Sequence, residues 1–96
     1  MSVYPRRAPS IRTFVAYHAT REPDAVRAAG VVRPSRLPDV YAFTDRGAAE
    51  TYAQEFGYAD VVAIEVKRGF VVTRWAPSYC TAGKVLRIGA ECRVVA

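Results

Sequence analysis

Three short segments of this chain carry side chains that can bind a polar ligand. The first is Tyr17-His18-Ala19-Thr20-Arg21, which contains the single histidine. The second is Val40-Tyr41-Ala42-Phe43-Thr44, and Tyr52 follows Tyr41 by eleven positions. The third is Ala90-Glu91-Cys92-Arg93-Val94. Histidine forms fixed hydrogen bonds, tyrosine offers a flat apolar face, and a carboxylate stabilises positive charge. Each segment alone is commonly structural, but the chain can bring the three together.

The chain lacks the common signatures of other enzyme chemistries. It has no Walker loop, no G-x-G-x-x-G, no G-x-S-x-G and no H-E-x-x-H. A Cys-His dyad is possible on composition, but nothing in the sequence brings Cys80 or Cys92 to His18, and a free cysteine is commonly a small buried hydrophobe. The cysteine spacing offers no metal-ligand pair, so we expect no metal site and two free thiols.

Length and composition restrict the chain to one small domain. Its 96 residues are 51% hydrophobic and 24% charged, which excludes a two-domain enzyme and argues against intrinsic disorder. The uncharged stretches are too short to cross a bilayer, and the first residues lack the apolar run of a secretory signal. We therefore expect a cytoplasmic protein with no membrane partner, a flexible arm over residues 1–10 and a single domain over residues 11–96.

Charge is segregated along the chain. Residues 1–38 carry seven Arg against two acids, residues 39–65 carry six acids against one Arg, and residues 66–96 carry six bases against one acid. This segregation is compatible with basic and acidic faces, but an ordinary solvated surface is the simpler interpretation, since net charge governs association rather than fold. Twelve of the fourteen bases are Arg, whose planar fork binds phosphate, so the flanks suit a nucleotide pyrophosphate or a nucleic acid backbone.

The elements that must position these groups are strands and two helices. β-branched and aromatic residues predict strands over 11–18, 31–33, 40–44, 61–66, 70–75, 84–88 and 91–95, with a turn at 67–69 and loops over 34–38 and through Pro77 and Gly83. Helical spacing predicts helices over 22–29 and 47–56, with Thr20 and either Thr44 or Asp45 as N-caps and Gly30 and Gly57 as ends. The predicted fold class is α+β, with an antiparallel-rich sheet and two short helices near the N-terminus.

In this order and spacing, the three segments resemble the His-Tyr-Glu branch of the ADP-ribosyltransferase superfamily, which includes diphtheria toxin and the poly(ADP-ribose) polymerases. The segment from Tyr17 to Arg21 is similar to the family's aromatic-His-Gly-Ser/Thr-Arg strand, and residues 26–34 resemble the helix, glycine and basic strand that follow. Residues 40–45 resemble its Gly-Ile-Tyr-Phe-Ala-Asp strand, Tyr52 its second tyrosine, and residues 91–95 its closing Glu-aromatic-x-Val strand. The resemblance covers most of the chain and implies a split sheet.

The resemblance implies NAD as co-substrate, with roles that carry over residue by residue. His18 would hydrogen-bond the nicotinamide ribose, the Ala19 backbone would pair with the carboxamide, and Tyr41 and Tyr52 would flank the ring. Glu91 would be the catalytic residue, binding the ribose 2′-hydroxyl and stabilising the oxocarbenium-like transition state as nicotinamide leaves. Thr20 occupies the family's Ser/Thr position, and Arg21 and Arg33 are the candidates for the pyrophosphate.

The chain also departs from the family's pattern. Ala49 stands where the family has a hydroxyl residue, so Thr44 or Thr51 would have to supply that contact. Ala48 stands where chain-elongating members carry Lys, which favours mono- over poly-ADP-ribosylation. Gly89, two positions before Glu91, replaces the acidic or amide residue of toxins that target arginine, and this argues against an arginine acceptor.

The sequence therefore predicts a minimal NAD-dependent mono-ADP-ribosyltransferase that modifies a protein or nucleic acid acceptor and releases nicotinamide. A toxin, effector or phage counter-defence role would suit so small a member. The main alternative is a non-catalytic binding protein that keeps the fold and occupies a partner's surface. NAD hydrolysis with water as acceptor is a third possibility, and the related RNA 2′-phosphotransferases are a distant one because they use more than one His.

Overall fold

The computed structural model describes residues 12–34, 39–75 and 85–95; for residues 73–75 it describes the backbone alone. Several sequence predictions lie outside these ranges: the arm over residues 1–10, most of the loop over 34–38, the loop through Pro77 and Gly83, and Cys80. The described residues form a small α+β domain. The predicted fold class is confirmed at that level.

The described part contains seven strands and two α-helices, and the elements follow one another closely. In chain order they are β1 (Thr13–Thr20), α1 (Pro23–Ala29), β2 (Val31–Val32), β3 (Val40–Phe43), α2 (Arg46–Phe56), β4 (Asp60–Lys67), β5 (Val71–Trp75), β6 (Val85–Ile88) and β7 (Cys92–Val94). A single 3-10 turn, Arg68–Phe70, replaces the predicted turn at 67–69. Every predicted element is present in the described ranges, with ends that differ by one or two residues.

Both helices end where glycine allows a left-handed backbone. Gly30 and Gly57 adopt φ values of 77° and 76°, and their amides bond back to the Val26 and Ala53 carbonyls. At the start of α2, the Asp45 carboxylate accepts the Ala48 amide at 2.9 Å, so Asp45 rather than Thr44 is the N-cap.

The predicted N-cap of α1 is wrong. Thr20 is the last residue of β1, because the ladder with β4 continues to the pair Thr20–Asp60. Glu22 precedes the helix without a side-chain cap, and the Thr20 hydroxyl accepts the Glu22 amide at 3.1 Å. The long partner strand therefore carries β1 two residues beyond the end predicted at His18.

The seven strands form one sheet in the order β2-β7-β4-β1-β3-β6-β5, and all pairings are antiparallel. β1 pairs with β4 over eight positions but with β3 at one, Tyr17–Phe43. That single pair divides the sheet into a first half-sheet, β2-β7-β4-β1, and a second half-sheet, β3-β6-β5. We call the region beyond Tyr17 and Phe43, on the Thr20 side, where no further β1–β3 ladder pair is described, the split.

The two half-sheets must fold over each other. β6 and β7 lie four strands apart in sheet order, which is about 19 Å in a flat sheet at about 4.8 Å per strand. Only four residue steps join Ile88 to Cys92, and an extended chain covers at most about 14 Å in that length. The sheet therefore curves until β6 and the start of β7 come close.

The face enclosed by this curvature is the main core. It combines side chains of both half-sheets in one cluster: Ala16, Val32, Val62, Ile64, Val66 and Cys92 from the first, and Val40, Ala42, Leu86 and Ile88 from the second. Val26 of α1 packs against the same cluster. Burial of this shared surface holds the half-sheets together where the β1–β3 ladder does not.

α2 covers the opposite face of the sheet near β1, β3 and β4. Its buried residues Ala49 and Ala53 form a second cluster with Ala19, Phe43, Val61 and Val85, against which Tyr17, Tyr41, Tyr52 and Tyr58 pack. Alternate residues of β1 and β3 thus serve the two clusters, as the period of a strand requires.

The charge segregation of the sequence becomes ion pairing across the fold. Three bonds join the basic flanks to the acidic middle segment: Arg27–Asp60, Arg87–Asp39 and Arg93–Glu65. The described ranges contain ten bases and nine acids, so their charge nearly balances. In these pairs, charges of opposite sign from the different segments lie side by side.

Candidate functional site

The direction of the backbone groups at the split follows from hydrogen bonds between other strands of the sheet. The Val95 amide donates to the Ala63 carbonyl at 2.9 Å. The backbone N–H and C=O of Ala63 therefore point to β7, and those of its neighbour Val62 point to β1. His18 is the β1 partner of Val62, so its backbone groups point to β4. Because backbone direction alternates along a strand, the N–H and C=O of Ala19 point the other way, toward the split.

The same reasoning applies to the second half-sheet. The Gly89 amide donates to the Phe70 carbonyl at 2.9 Å. The backbone N–H and C=O of Gly89 therefore point to β5, and those of Ile88 point to β3. Val40 is the partner of Ile88 and therefore faces β6. The next residue, Tyr41, turns its carbonyl toward β1. Tyr41 would be the partner of Ala19 if the register at Tyr17–Phe43 continued, but the regular ladder between the two described strands ends before that pair.

The His18 ring bridges the two half-sheets at this point. Its Nδ1 lies 2.6 Å from the Tyr41 carbonyl oxygen. A carbonyl only accepts, so Nδ1 carries the proton, and in the neutral ring the lone pair is on Nε2. The imidazole thus makes a bond to β3 where the backbone ladder has stopped.

Burial keeps His18 uncharged. Desolvation lowers its pKa from 6.5, and the bond to the Tyr41 carbonyl, which favours the protonated ring, offsets this only in part. At neutral pH, Nε2 is therefore a hydrogen-bond acceptor of fixed orientation, as a sugar hydroxyl would require.

The two predicted ring-binding tyrosines have different surroundings. Tyr41 lies in β3 beside the split. Tyr52 lies in α2, and its ring centroid is 5.1 Å from Phe43, 4.7 Å from Phe56 and 5.5 Å from Tyr58. Both residues pack on the second cluster, beneath α2. The ring contacts described for Tyr52 are to Phe43, Phe56 and Tyr58 rather than to Tyr41.

Arg21 and Arg33, the predicted pyrophosphate ligands, do not lie together. Arg21 follows β1, and its guanidinium carbon is 5.0 Å from the centroid of the Tyr58 ring. Arg33 follows β2, and its Nε donates to Glu91 at 3.1 Å. Only Arg21 adjoins the end of β1 that carries Ala19.

Glu91, the predicted catalytic residue, lies on the connection between the half-sheets. The register of β2 and β7 sets it opposite Arg33, and both side chains are more than half exposed. Its Cα is three residues from Ile88, a span of at most about 11 Å. The structure describes no contact between the Glu91 carboxylate and His18 or Tyr41.

The two predicted threonines have separate surroundings. Thr20 is buried, and its hydroxyl is engaged by the Glu22 amide. Thr44 is exposed and lies between β3 and the Asp45 cap. Neither is described in contact with the His18 ring.

Sequence reasoning missed an ion pair beside the split. Arg87 of β6 donates from Nε to Asp39 Oδ2 at 3.0 Å, and its Nη2 reaches the same oxygen. The Asp39 side chain is 9% exposed, against 36% for Arg87. Arg87 is the cross-strand partner of Tyr41. The available signal was an Arg within an otherwise apolar strand and an Asp directly before β3, but only the strand order brings them together.

A shallow groove runs along α2 and residues 58–61, away from the His18 contact. Its volume is about 540 Å³, and its carboxylates are Glu50 and Asp60. Both are paired with arginines, Arg46 and Arg27 respectively. The Val61 amide, together with Arg27, lowers the pKa of Asp60. These negative groups suit a phosphate poorly, so the split is the better candidate site.

Two further properties concern only the described ranges, 12–34, 39–75 and 85–95. They contain no group of three or more His, Cys, Asp or Glu side chains that could hold a metal ion. Among them, no helix is long and apolar enough to cross a membrane. The one cysteine they include, Cys92, is a free, buried thiol whose pKa is raised to about 11, mainly by desolvation.

Comparisons with protein-family models, curated proteins and solved structures found no match to this chain.

Proposed function

We propose that the split binds the nicotinamide end of NAD and that the protein transfers ADP-ribose from it to a macromolecular acceptor. The observation that carries the proposal is the end of the β1–β3 ladder. There, because backbone direction alternates along β1, the Ala19 N–H and C=O point toward β3, beside a neutral His18 whose Nδ1 donates to the Tyr41 carbonyl. A primary carboxamide donates and accepts hydrogen bonds in the pattern of a peptide group, so it can take the place of the missing strand partner.

The other parts of the substrate fit groups around the split. His18 Nε2 accepts a hydrogen bond from a ribose hydroxyl, and the Tyr41 ring offers a flat face for the nicotinamide. Arg21, at the end of β1, supplies positive charge for the pyrophosphate. These assignments agree with those that the family resemblance implies.

Transfer breaks the bond between the nicotinamide nitrogen and the ribose anomeric carbon. The bonding electron pair leaves with nicotinamide, and a nucleophile of the acceptor, or water in the hydrolytic variant, bonds to the same carbon and loses its proton to solvent. Glu91 would stabilise the positive charge that develops on the sugar. In this role it must exchange its pairing with Arg33 for the substrate, which is inexpensive because exposed ion pairs contribute only about 0–1 kcal/mol.

The test is release of nicotinamide from NAD by the purified protein, with and without host-cell lysate. Glu91→Gln should abolish release and leave NAD binding intact. Glu65→Gln is the matched control, because Glu65 also pairs with an exposed arginine, Arg93, but on β4. It should release nicotinamide at the wild-type rate. Release that depends on lysate indicates a transferase, and release without lysate indicates a glycohydrolase.

A second candidate is a binding module that uses the same fold without turnover. The observation that favours it is that the described partner of the Glu91 carboxylate is Arg33, at the β2–β7 edge, and not His18. This candidate predicts no nicotinamide release and equal partner binding by wild type and Glu91→Gln. NAD binding then distinguishes a module that binds NAD without turnover from one that does not bind it. In the first case, NAD at a hundred times its Kd should raise the free energy of unfolding by about 2.7 kcal/mol.

A further inference from the structure

The position of β3 is fixed mainly by its outer neighbour. β3 has one ladder pair with β1 but four with β6, from Val40–Ile88 to Phe43–Val85. The carbonyl that holds His18 belongs to Tyr41, in the middle of this short strand. The orientation of the His18 ring therefore depends on how firmly β6 holds β3 at its open end.

The Asp39–Arg87 pair fixes the Val40 end of β3 to β6. We call this pair the brace. Phe43 anchors one end of β3 to both neighbours, and Asp39 precedes the other end. Two nitrogens of Arg87 bond one oxygen of the Asp39 carboxylate, which is almost fully buried. The other oxygen faces Gly89, where a Cβ would lie 3.7 Å away. A buried carboxylate held by charge-assisted bonds tolerates little displacement, because any movement leaves it unpaired.

Arg87 also lies directly against the residue that it positions. Ile88 and Leu86 face β3 through their backbones, so Tyr41 and Arg87 form a pair without backbone hydrogen bonds, the type in which side chains approach most closely. The hydrogen bonds and the negative charge of Asp39 raise the pKa of Arg87. Arg87 is thus both the partner of the Asp39 carboxylate and the cross-strand neighbour of Tyr41.

We infer that Asp39 and Arg87 are positioning residues, which fix the Tyr41 carbonyl and thereby hold His18 in the single tautomer with its proton on Nδ1. The role in NAD binding rests on the proposed function, whereas the role in the tautomer does not. Without the brace, β3 moves relative to β1 and the Nδ1 bond is lost or shared between orientations.

The experiment measures the His18 ring by ¹⁵N-detected NMR and NAD binding by calorimetry. In the wild type, the ring should show one tautomer protonated on Nδ1. Asp39→Asn should give a mixture of tautomers and an NAD Kd about tenfold higher, which corresponds to about 1.4 kcal/mol. Arg87→Lys retains the positive charge but not the planar pair of donors that binds Asp39. Its tautomer mixture and NAD Kd should lie between those of the wild type and Asp39→Asn.

Arg93→Gln is the matched control, since it breaks an arginine–carboxylate pair on the first half-sheet and should leave both readouts unchanged. Amide spectra identify any variant that fails to fold, and Arg87→Lys, the milder change, then decides the question. Retention of a single Nδ1 tautomer in a folded Asp39→Asn or Arg87→Lys protein would overturn the inference. If the wild type shows that tautomer but does not bind NAD, the proposed function fails and the positioning role stands.

Discussion

At the scale of single residues, His18 is the group whose changed chemistry bears most directly on the candidate site. Its ring is the one described side chain that bonds across the split, and burial holds it neutral. Its type and place in the chain predicted a hydrogen-bonding role, but not its partner. The Tyr41 carbonyl is available to it only because the β1–β3 ladder stops, and that depends on strand order, which no local pattern encodes.

The depressed pKa of His18 predicts how stability changes with acid. The unfolded chain takes up the histidine proton near pH 6.5, before the folded protein does. The contribution of His18 to the free energy of unfolding should therefore be constant above that pH and fall as the pH drops below it, until the folded-state pKa is passed. Urea unfolding at a series of pH values measures this.

His18→Gln provides the comparison, because glutamine can still donate to the Tyr41 carbonyl but does not titrate. His18 is the single histidine, so the dependence just below pH 6.5 should vanish in this variant. An unchanged slope there would show that another group, rather than His18, causes the effect.

At the scale of elements, both ends of α2 follow local signals, and the ends of β1 do not. α2 was predicted over 47–56 and spans Arg46–Phe56. The agreement is close because the residues that begin and end the helix, Asp45 and Gly57, directly flank it in the sequence. β1 was predicted to end at His18 and ends at Thr20, because β4 pairs with it to that point. A strand's limits are set by a partner that lies far away in the chain, so they were beyond the reach of sequence patterns.

The Asp45 cap should be worth about 1 kcal/mol to the domain. Asp45→Ala removes the acceptor of the Ala48 amide at the start of α2, and such a loss typically costs about 0.5–2 kcal/mol. Asp45→Asn keeps a capping oxygen and should cost much less. Chemical denaturation of both variants measures the difference, and an equal loss in the two would mean that the bond to Ala48 is not the cause.

At the scale of the whole molecule, the two half-sheets depend on one core. Leu86 and Ile88 of the second pack in the same cluster as Ile64 and Val66 of the first. The β-branched and aromatic residues of these segments predicted that they are strands. It did not predict that the sheet folds over itself, a feature that follows from the strand order and the short connection between Ile88 and Cys92.

A cavity in this shared core should weaken both half-sheets together. Leu86 is fully buried, and Leu86→Ala should lower the free energy of unfolding by about 2–5 kcal/mol. Hydrogen exchange of the amides in β4 and β6 should report equal losses of protection. Val15→Ala, at a site 47% exposed, should change stability by less than about 0.5 kcal/mol. Protection lost in β6 alone would contradict a single cooperative unit.

The place of β7 has a consequence for how the chain folds. β7 is the last strand in sequence, yet it lies between β2 and β4. When β4 leaves the ribosome, β2 has no neighbour to pair with, and the first half-sheet stays incomplete until residues 92–94 are made. Many native contacts therefore join residues far apart in the chain, a topology that typically folds in milliseconds to seconds rather than microseconds. During that delay the facing edges of β2 and β4 are open to other chains, so folding yield should fall as protein concentration rises.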